Sequence, residues 1–136
     1  MFGNLYTAKP NDLKKHLKYI RQDNVNVLLI TRYGFDFDDA FRYHNLAPSS
    51  NLFSKIESFK KDYGDDWFSH YSKLFNNELE TDEKQFGINE VKSALESGLD
   101  IVLVCYCSEY EKCHRKLVAD YFKNLGISSM ELSKKI

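Results

Sequence analysis

The chain has 136 residues, of which 43% are hydrophobic and 29% charged, and its 19 basic and 20 acidic residues give a net charge of −1. This length and composition indicate a single domain of an ordinary globular protein with a continuous core. The balanced charge argues against an extensive nucleic-acid-binding surface and against attraction to an anionic membrane.

The chain shows no pattern typical of export or membrane insertion. Met1 to Lys9 lack the apolar core of a signal peptide. No apolar run approaches the roughly 18 residues of a membrane span. We therefore expect a cytoplasmic protein with no membrane partner, in which the three cysteines are reduced thiols.

The first part of the chain predicts a short strand or irregular lead over residues 1–7, followed by a helix. Pro10 begins this helix, and apolar residues recur at helical spacing as far as Ile20. An apolar run from Val25 to Thr31 then predicts a buried strand. Residues 33–42 have no clear period, so we interpret them as a loop.

A second loop and three helices are predicted next. Pro48 makes this loop rigid, and Ser49 or Ser50 is expected to cap the following helix. Helical patterns then cover about 51–62, 65–78 and 82–97, separated by turn residues. This long excursion lies between two predicted strands, and we expect it to roof the crevice at their carboxyl ends.

The last part of the chain predicts strand, helix and strand. Ile101 to Cys105 is an apolar run rich in β-branched residues, typical of a strand buried on both faces. Apolar residues at helical spacing follow from about residue 113 until Gly126, and Ile127 to Leu132 predict a short final strand. The order of elements predicts an α/β protein with a small, mostly parallel sheet and helices on both faces.

The chemistry of the sequence is concentrated around the predicted strand that ends at Cys105. Cys105 and Cys107 lie at its carboxyl end, whereas Cys113, His114 and Arg115 lie where the next helix begins. Ligands of open α/β sheets bind at such strand ends, and helix amino termini attract anions. These residues therefore predict an anion pocket with a candidate thiol nucleophile.

Other interpretations of the same residues stay open. Cys113 fits an inert, packed thiol as well as an activated one, and Arg115 could form a surface ion pair with Asp120 or Glu111. The Cys-x₅-Arg spacing of phosphatase loops is absent. Zinc is not favoured, because C-x-C-x₅-C-H lacks paired C-x₂-C units and adjacent helical residues such as Cys113 and His114 point about 100° apart. We therefore predict no metal site.

Three segments carry a resemblance to a known family. They are Val102-Leu-Val-Cys-Tyr106 with Cys113-His-Arg-Lys-Leu-Val-Ala-Asp-Tyr-Phe122, Asn45-Leu-Ala-Pro-Ser-Ser-Asn-Leu-Phe53, and Leu29-Ile-Thr-Arg-Tyr33. The chain resembles the bacterial and phage family called domain of unknown function 488, whose members carry such segments in the same order along the chain and read LLCYE, FCHRHLVAEWL and KLAPS. The resemblance implies no activity. It highlights eight residues: Arg32, Pro48, Ser49, Cys105, Tyr106, Cys113, His114 and Arg115.

The chain departs from this family's pattern in two places. Many relatives carry Glu where this chain has Cys107, so an acid role for that position is lost here. Relatives also begin with a YTSYF-like strand, whereas this chain opens at Met1-Phe-Gly-Asn4. We therefore expect the first strand to be a stub.

Three classes of function fit these observations. The first is an enzyme acting on a phosphate-bearing or nucleotide-like small ligand, with Cys113 as nucleophile and His114 or Tyr106 as proton carrier. The second is a non-catalytic binder of such a ligand, and the third is a protein or nucleic-acid interaction module in which the motif is structural. The residues assigned to ligand binding are Arg115, Arg32, Ser49, Cys105 and Cys107. The sequence specifies neither a cofactor nor an oligomeric state.

Overall fold

The protein is built on a five-stranded parallel sheet. We describe it from a computed structural model, which covers residues 2–16, 25–32, 40–107 and 109–134. The strand order is β3-β2-β4-β1-β5, and every neighbouring pair is parallel. The strands are β1 (Leu5–Ala8), β2 (Val25–Leu29), β3 (Ala40–Arg42), β4 (Asp100–Val104) and β5 (Ser129–Glu131).

Six α-helices are found in the described part of the chain, with short 3-10 turns between some of them. They are α1 (Pro10–His16), α2 (Ser50–Ser54), α3 (Ile56–Tyr63), α4 (Trp67–Leu79), α5 (Asp82–Glu96) and α6 (His114–Asn124). The turns are His44–Leu46, Gly64–Asp66, Tyr110–Lys112 and Leu132–Lys134. Together with the sheet, these elements confirm the predicted parallel α/β class.

The central strand β4 explains the two-sided core. Successive side chains of a strand point to opposite faces, and all five residues of β4 are buried. Ile101 and Leu103 belong to a large cluster with residues of α4, α5 and α6, whereas Val102 and Val104 belong to a smaller one with Leu13 of α1. Both faces of the sheet are therefore covered by helices, as predicted.

The strand order places a crevice next to β4. The chain runs from β1 outward to β2 and β3, then returns to insert β4 between β1 and β2. The carboxyl ends of β2 and β4 are consequently adjacent, and their register pairs Leu29 with Val104. A reversal of strand order of this kind opens a crevice outside the strand ends.

The first strand corrects the expectation of a stub. β1 is buried over all four residues and pairs with both β4 and β5, so it is an interior strand. Gly3, just before it, lies so close to the turn between α5 and β4 that an added Cβ would meet the Leu99 carbonyl oxygen at 1.7 Å. A residue without a side chain is thus required where the chain enters the sheet.

Two further differences concern element boundaries. Ala40–Arg42 forms edge strand β3, although the sequence around it has no strand period; parallel pairing with β2 supplies its hydrogen bonds. The predicted 51–62 helix is two helices, α2 and α3, which meet at Lys55. The predicted continuation of α1 to Ile20 and most of the 33–42 loop lie outside the described residues.

The longest helix in the described residues is α5, with 15 residues. Within that part of the chain, the helices all fall short of the length and apolar character needed to cross a bilayer.

Candidate functional site

A pocket opens at the adjacent carboxyl ends of β2 and β4. Its volume is about 460 Å³, within the range of small-molecule sites. Thr31 and Arg32 follow β2 into it, and Cys105, Tyr106 and Cys107 follow β4. The opposite wall comes from the helical excursion between these strands, as the sequence predicted.

That opposite wall is mostly aromatic. Trp67 and Tyr71 lie four residues apart on α4 and therefore on one helix face, and Phe68 packs against both at ring-centroid distances of 5.4 and 5.7 Å. Phe53 of α2 and Ile56 of α3 extend the wall. The surface they form suits a flat, apolar ring.

Two cationic side chains, Arg32 and Lys112, line the same pocket. Arg32 Nε donates to the Pro48 carbonyl oxygen at 2.8 Å, which fixes the guanidinium beside the loop before α2. Arg32 Nη2 lies 3.9 Å from Glu83 Oε1, but that carboxylate is largely exposed and the pair is correspondingly weak. Arg32 thus retains capacity for an anionic group of a ligand.

The floor of the pocket holds three sulfurs and an imidazole. The donor atoms of Cys105, Cys107, Cys113 and His114 all lie within 4.8 Å of one another, a group that could hold a metal ion. Cys105 Sγ is 3.5 Å from Cys107 Sγ and 3.5 Å from His114 Nδ1. Cys105, Cys107 and His114 line the pocket, whereas Cys113 is completely buried.

The sequence argument that Cys113 and His114 diverge is wrong. Cys113 precedes α6 and has extended backbone angles, φ −133° and ψ 144°. The 100° rotation between successive residues applies only inside a helix. The change of backbone conformation at Cys113 therefore lets both side chains reach the same cluster.

The three cysteines of the cluster differ in the direction in which their pKa is shifted. Burial raises the pKa of the Cys105 and Cys113 thiols above their ordinary value. Hydrogen bonds from those two thiols lower the pKa of Cys107 despite its own burial, and His114 adds to the effect. Burial acts to lower the pKa of His114, but hydrogen bonds with Cys107 and Cys113 outweigh it and raise that pKa to about 10.

Arg115, predicted to bind an anion, does not line the pocket. Its side chain is fully buried, and Nε and Nη2 donate to the two Glu131 carboxylate oxygens at 3.1 and 2.9 Å. Nη1 donates to the Cys107 carbonyl oxygen at 2.9 Å. The expected partners Asp120 and Glu111 are replaced by Glu131 because β5 brings that carboxylate under the start of α6.

Ser49 is also placed differently from the prediction of a ligand contact. Its Oγ accepts from Leu52 N–H at 3.1 Å and so caps α2, as expected. Its N–H and its hydroxyl both donate to the Glu78 carboxylate. A neighbouring negative charge that already uses both donors disfavours an anion at Ser49. Tyr106, by contrast, lines the pocket and is 38% exposed.

Sequence reasoning missed the aromatic wall and did not count Lys112 among the ligand-binding residues. Trp67, Phe68 and Tyr71 have the helical spacing of core residues, and many core helices carry the same pattern. Only their position above the β2 and β4 ends shows that one side of these rings faces a cavity. Lys112 lies in a polar segment whose path could not be predicted.

The fold and the site define a small parallel α/β protein with a Cys/His cluster beneath an aromatic pocket. A family model, DUF488-N3a, described as "Active DUF488-N3 subclade", matches residues 14–126. The chain therefore belongs to the domain-of-unknown-function 488 family, which confirms the resemblance seen in its sequence. Comparison with curated proteins and with solved structures gives no match.

Proposed function

We propose that the pocket binds a small nucleotide-like ligand, with its ring against the aromatic wall and its phosphate near Arg32 and Lys112. One observation carries this proposal: aromatic side chains and two cationic side chains line the same 460 Å³ cavity. Flat rings stack on aromatic faces, and a guanidinium matches the geometry of phosphate oxygens. Arg32, not the buried Arg115, is the anion-binding arginine in this proposal.

Ligand-induced thermal stabilisation tests the binding step. The panel contains nucleoside monophosphates, the corresponding nucleosides, ribose 5-phosphate and inorganic phosphate. A ligand present at 100 times its Kd stabilises the folded state by about 2.7 kcal/mol. We expect a nucleotide to raise Tm by several degrees and the separate ring or phosphate fragments to raise it less.

Matched variants make the binding test specific. Arg32→Ala should weaken phosphate-bearing ligands, and Trp67→Leu should weaken those with a ring. The controls are Lys123→Ala and Phe86→Ala, because both side chains are exposed and neither lines the pocket. Equal losses in the controls, or no shift with the whole panel, would argue against the proposal.

We further propose that Cys107 is the reacting thiol if the bound ligand is turned over. Cys107 lines the pocket and is partly exposed. Cys105 also lines the pocket but is buried, and Cys113 is buried and does not line the pocket. The word "Active" in the description of the matching family model also favours catalysis. The alternative is non-catalytic ligand binding.

Cys107→Ala separates these two functions. Product formation from a ligand found in the thermal panel, followed by chromatography, should disappear in this variant while the ligand-induced Tm shift persists. No turnover by the unmodified protein with any such ligand would favour the non-catalytic binder. Unchanged turnover in Cys107→Ala would exclude Cys107 as the reacting group.

A further inference from the structure

The four-residue cluster at the pocket floor also has the composition of a metal site, whatever ligand the pocket binds. Its donors come from the end of β4 (Cys105), the following loop (Cys107), the residue that precedes α6 (Cys113) and the first residue of α6 (His114). All four donor atoms lie within 4.8 Å of one another. A single strand-loop-helix unit thus brings four donor atoms into one small volume.

The spacing of these atoms fits a tetrahedral metal ion. Zinc binds thiolates at about 2.3 Å and imidazole at about 2.0–2.1 Å, so the edges of its tetrahedron are about 3.8 Å between sulfurs and about 3.6 Å between sulfur and nitrogen. The distances from Cys105 Sγ to Cys107 Sγ and to His114 Nδ1 are both 3.5 Å. All the remaining donor pairs lie within 4.8 Å of one another, so each needs to close by about 1 Å at most to reach these lengths.

The surroundings of His114 fix its ring as in a metal site. Its Nε2 lies 2.5 Å from the Ile30 carbonyl oxygen. A carbonyl can only accept, so Nε2 carries the hydrogen and donates it. Nδ1 is then the atom directed at the sulfurs. A backbone acceptor on the outer ring nitrogen is the usual support of a histidine ligand.

The loop that carries Cys107 is held from outside the cluster. Arg115 Nη1 donates to the Cys107 carbonyl oxygen, while the rest of its guanidinium is fixed by Glu131. The buried ion pair therefore positions the backbone of one donor. Outer contacts of this kind hold ligands in a binding geometry before the ion arrives.

We propose that Cys105, Cys107, Cys113 and His114 bind one Zn²⁺ ion with tetrahedral geometry. Three soft sulfur donors and one imidazole favour zinc over the hard cations Mg²⁺ and Ca²⁺, which take oxygen ligands. The ion replaces the protons shared among these groups, since sulfur and imidazole bind metals in their deprotonated forms. Cys107 would then serve as a zinc ligand, so the zinc site and a free Cys107 nucleophile are alternative uses of the same thiol.

Cobalt substitution tests this site. Protein stripped of metal under reducing conditions is titrated with Co²⁺, and sulfur-to-cobalt charge-transfer absorption is recorded. We expect saturation at one equivalent and loss of the signal when Zn²⁺ is added. His114→Gln and Cys107→Ser should weaken Co²⁺ binding by at least tenfold, whereas the matched control His70→Gln should bind normally. Absence of a saturable signal in the unmodified protein would overturn the proposal, as would unchanged binding in both cluster variants.

A second measurement on the unmodified protein avoids dependence on variants that fold poorly. Zn²⁺ should raise Tm, and an excess of chelator should reverse the rise. No change in Tm with Zn²⁺ at one equivalent or in excess would count against the site. The nucleotide panel repeated in chelator separates the two proposals: ligand shifts without a metal signal contradict only the zinc site, and a metal signal without ligand shifts contradicts only the pocket proposal.

Discussion

At the scale of single residues, the environment of a side chain decides its role, and two arginines show this. Arg32 and Arg115 were both predicted to bind an anion, yet one lines the pocket and the other is buried against Glu131. Breaking such a buried pair leaves an uncompensated charge and costs about 3–5 kcal/mol. Arg115 therefore acts through the structure, by holding Cys107 and the β5 strand together.

The Glu131 carboxylate gives a pH-dependent prediction. Burial acts to raise its pKa, but hydrogen bonds from Arg115, Ser133 and Thr7 outweigh burial and lower it below its ordinary value. A carboxyl with a lower pKa in the folded state stabilises the fold above the unfolded value, about 4.3. That contribution is lost as the pH falls through the folded-state pKa.

We therefore expect the free energy of unfolding to decrease as the pH falls below about 4.3. The decrease should be less steep in Glu131→Gln, which should also be less stable at neutral pH. Urea denaturation at a series of pH values measures both effects. Glu96→Gln is the control, because this side chain is exposed. Parallel pH profiles for Glu131→Gln and the unmodified protein would contradict the role assigned to Glu131.

At the scale of elements, short helix α2 depends on its amino-terminal cap. Its five residues follow Ser49, whose Oγ accepts from Leu52 N–H and donates to Glu78. A helix of this length is not stable by itself. The cap therefore stabilises the first turn of this helix.

Ser49→Ala should lower the free energy of unfolding by about 1–2 kcal/mol, because the helix cap and a hydrogen-bond donor to the half-buried Glu78 carboxylate are lost together. Nucleotide affinity should remain nearly unchanged, since Ser49 does not line the pocket. Denaturant midpoints and ligand titration provide the two measurements. Ser58→Ala serves as the control on an exposed helical serine. If Ser49→Ala lowered nucleotide affinity without changing stability, Ser49 would be a ligand-binding residue, as the sequence predicted.

At the scale of the whole molecule, Phe75 joins the helical layer to the site. Its side chain is completely buried and contacts the Tyr71 ring at a centroid distance of 6.0 Å and the His114 ring at 5.6 Å. One residue thus packs against both the pocket wall and the Cys/His cluster. Its loss would leave a cavity between them.

Phe75→Ala should cost about 3–5 kcal/mol of unfolding free energy, a large part of the 5–15 kcal/mol typical of a domain. The neighbouring Leu74→Ala removes a side chain that is 38% exposed and should cost much less. Urea denaturation of both variants gives the comparison. A similar cost for the two changes would show that the core does not depend on this contact.

The pattern of elements could be predicted because it is local. Apolar runs gave β2 and β4, helical spacing gave α4, α5 and α6, and glycines with positive φ end turns at Gly64, Gly98 and Gly126. β3 escaped prediction because its three residues have no periodic pattern and form a strand only beside β2. The formation of β3 therefore depends on pairing with β2, and the local sequence pattern does not reveal that pairing.

The sequence by itself determined the parallel α/β class, the family, and the place of the candidate site at the strand ends that carry Arg32 and Cys105. Those features follow from periodicity and from residue order along the chain. Only the tertiary structure decided which groups face the pocket. It buried Arg115 and Cys113, left Cys107 at the floor, and turned α4 aromatics into a wall. Side-chain direction depends on backbone angles and on packing between distant elements, and neither can be read from spacing.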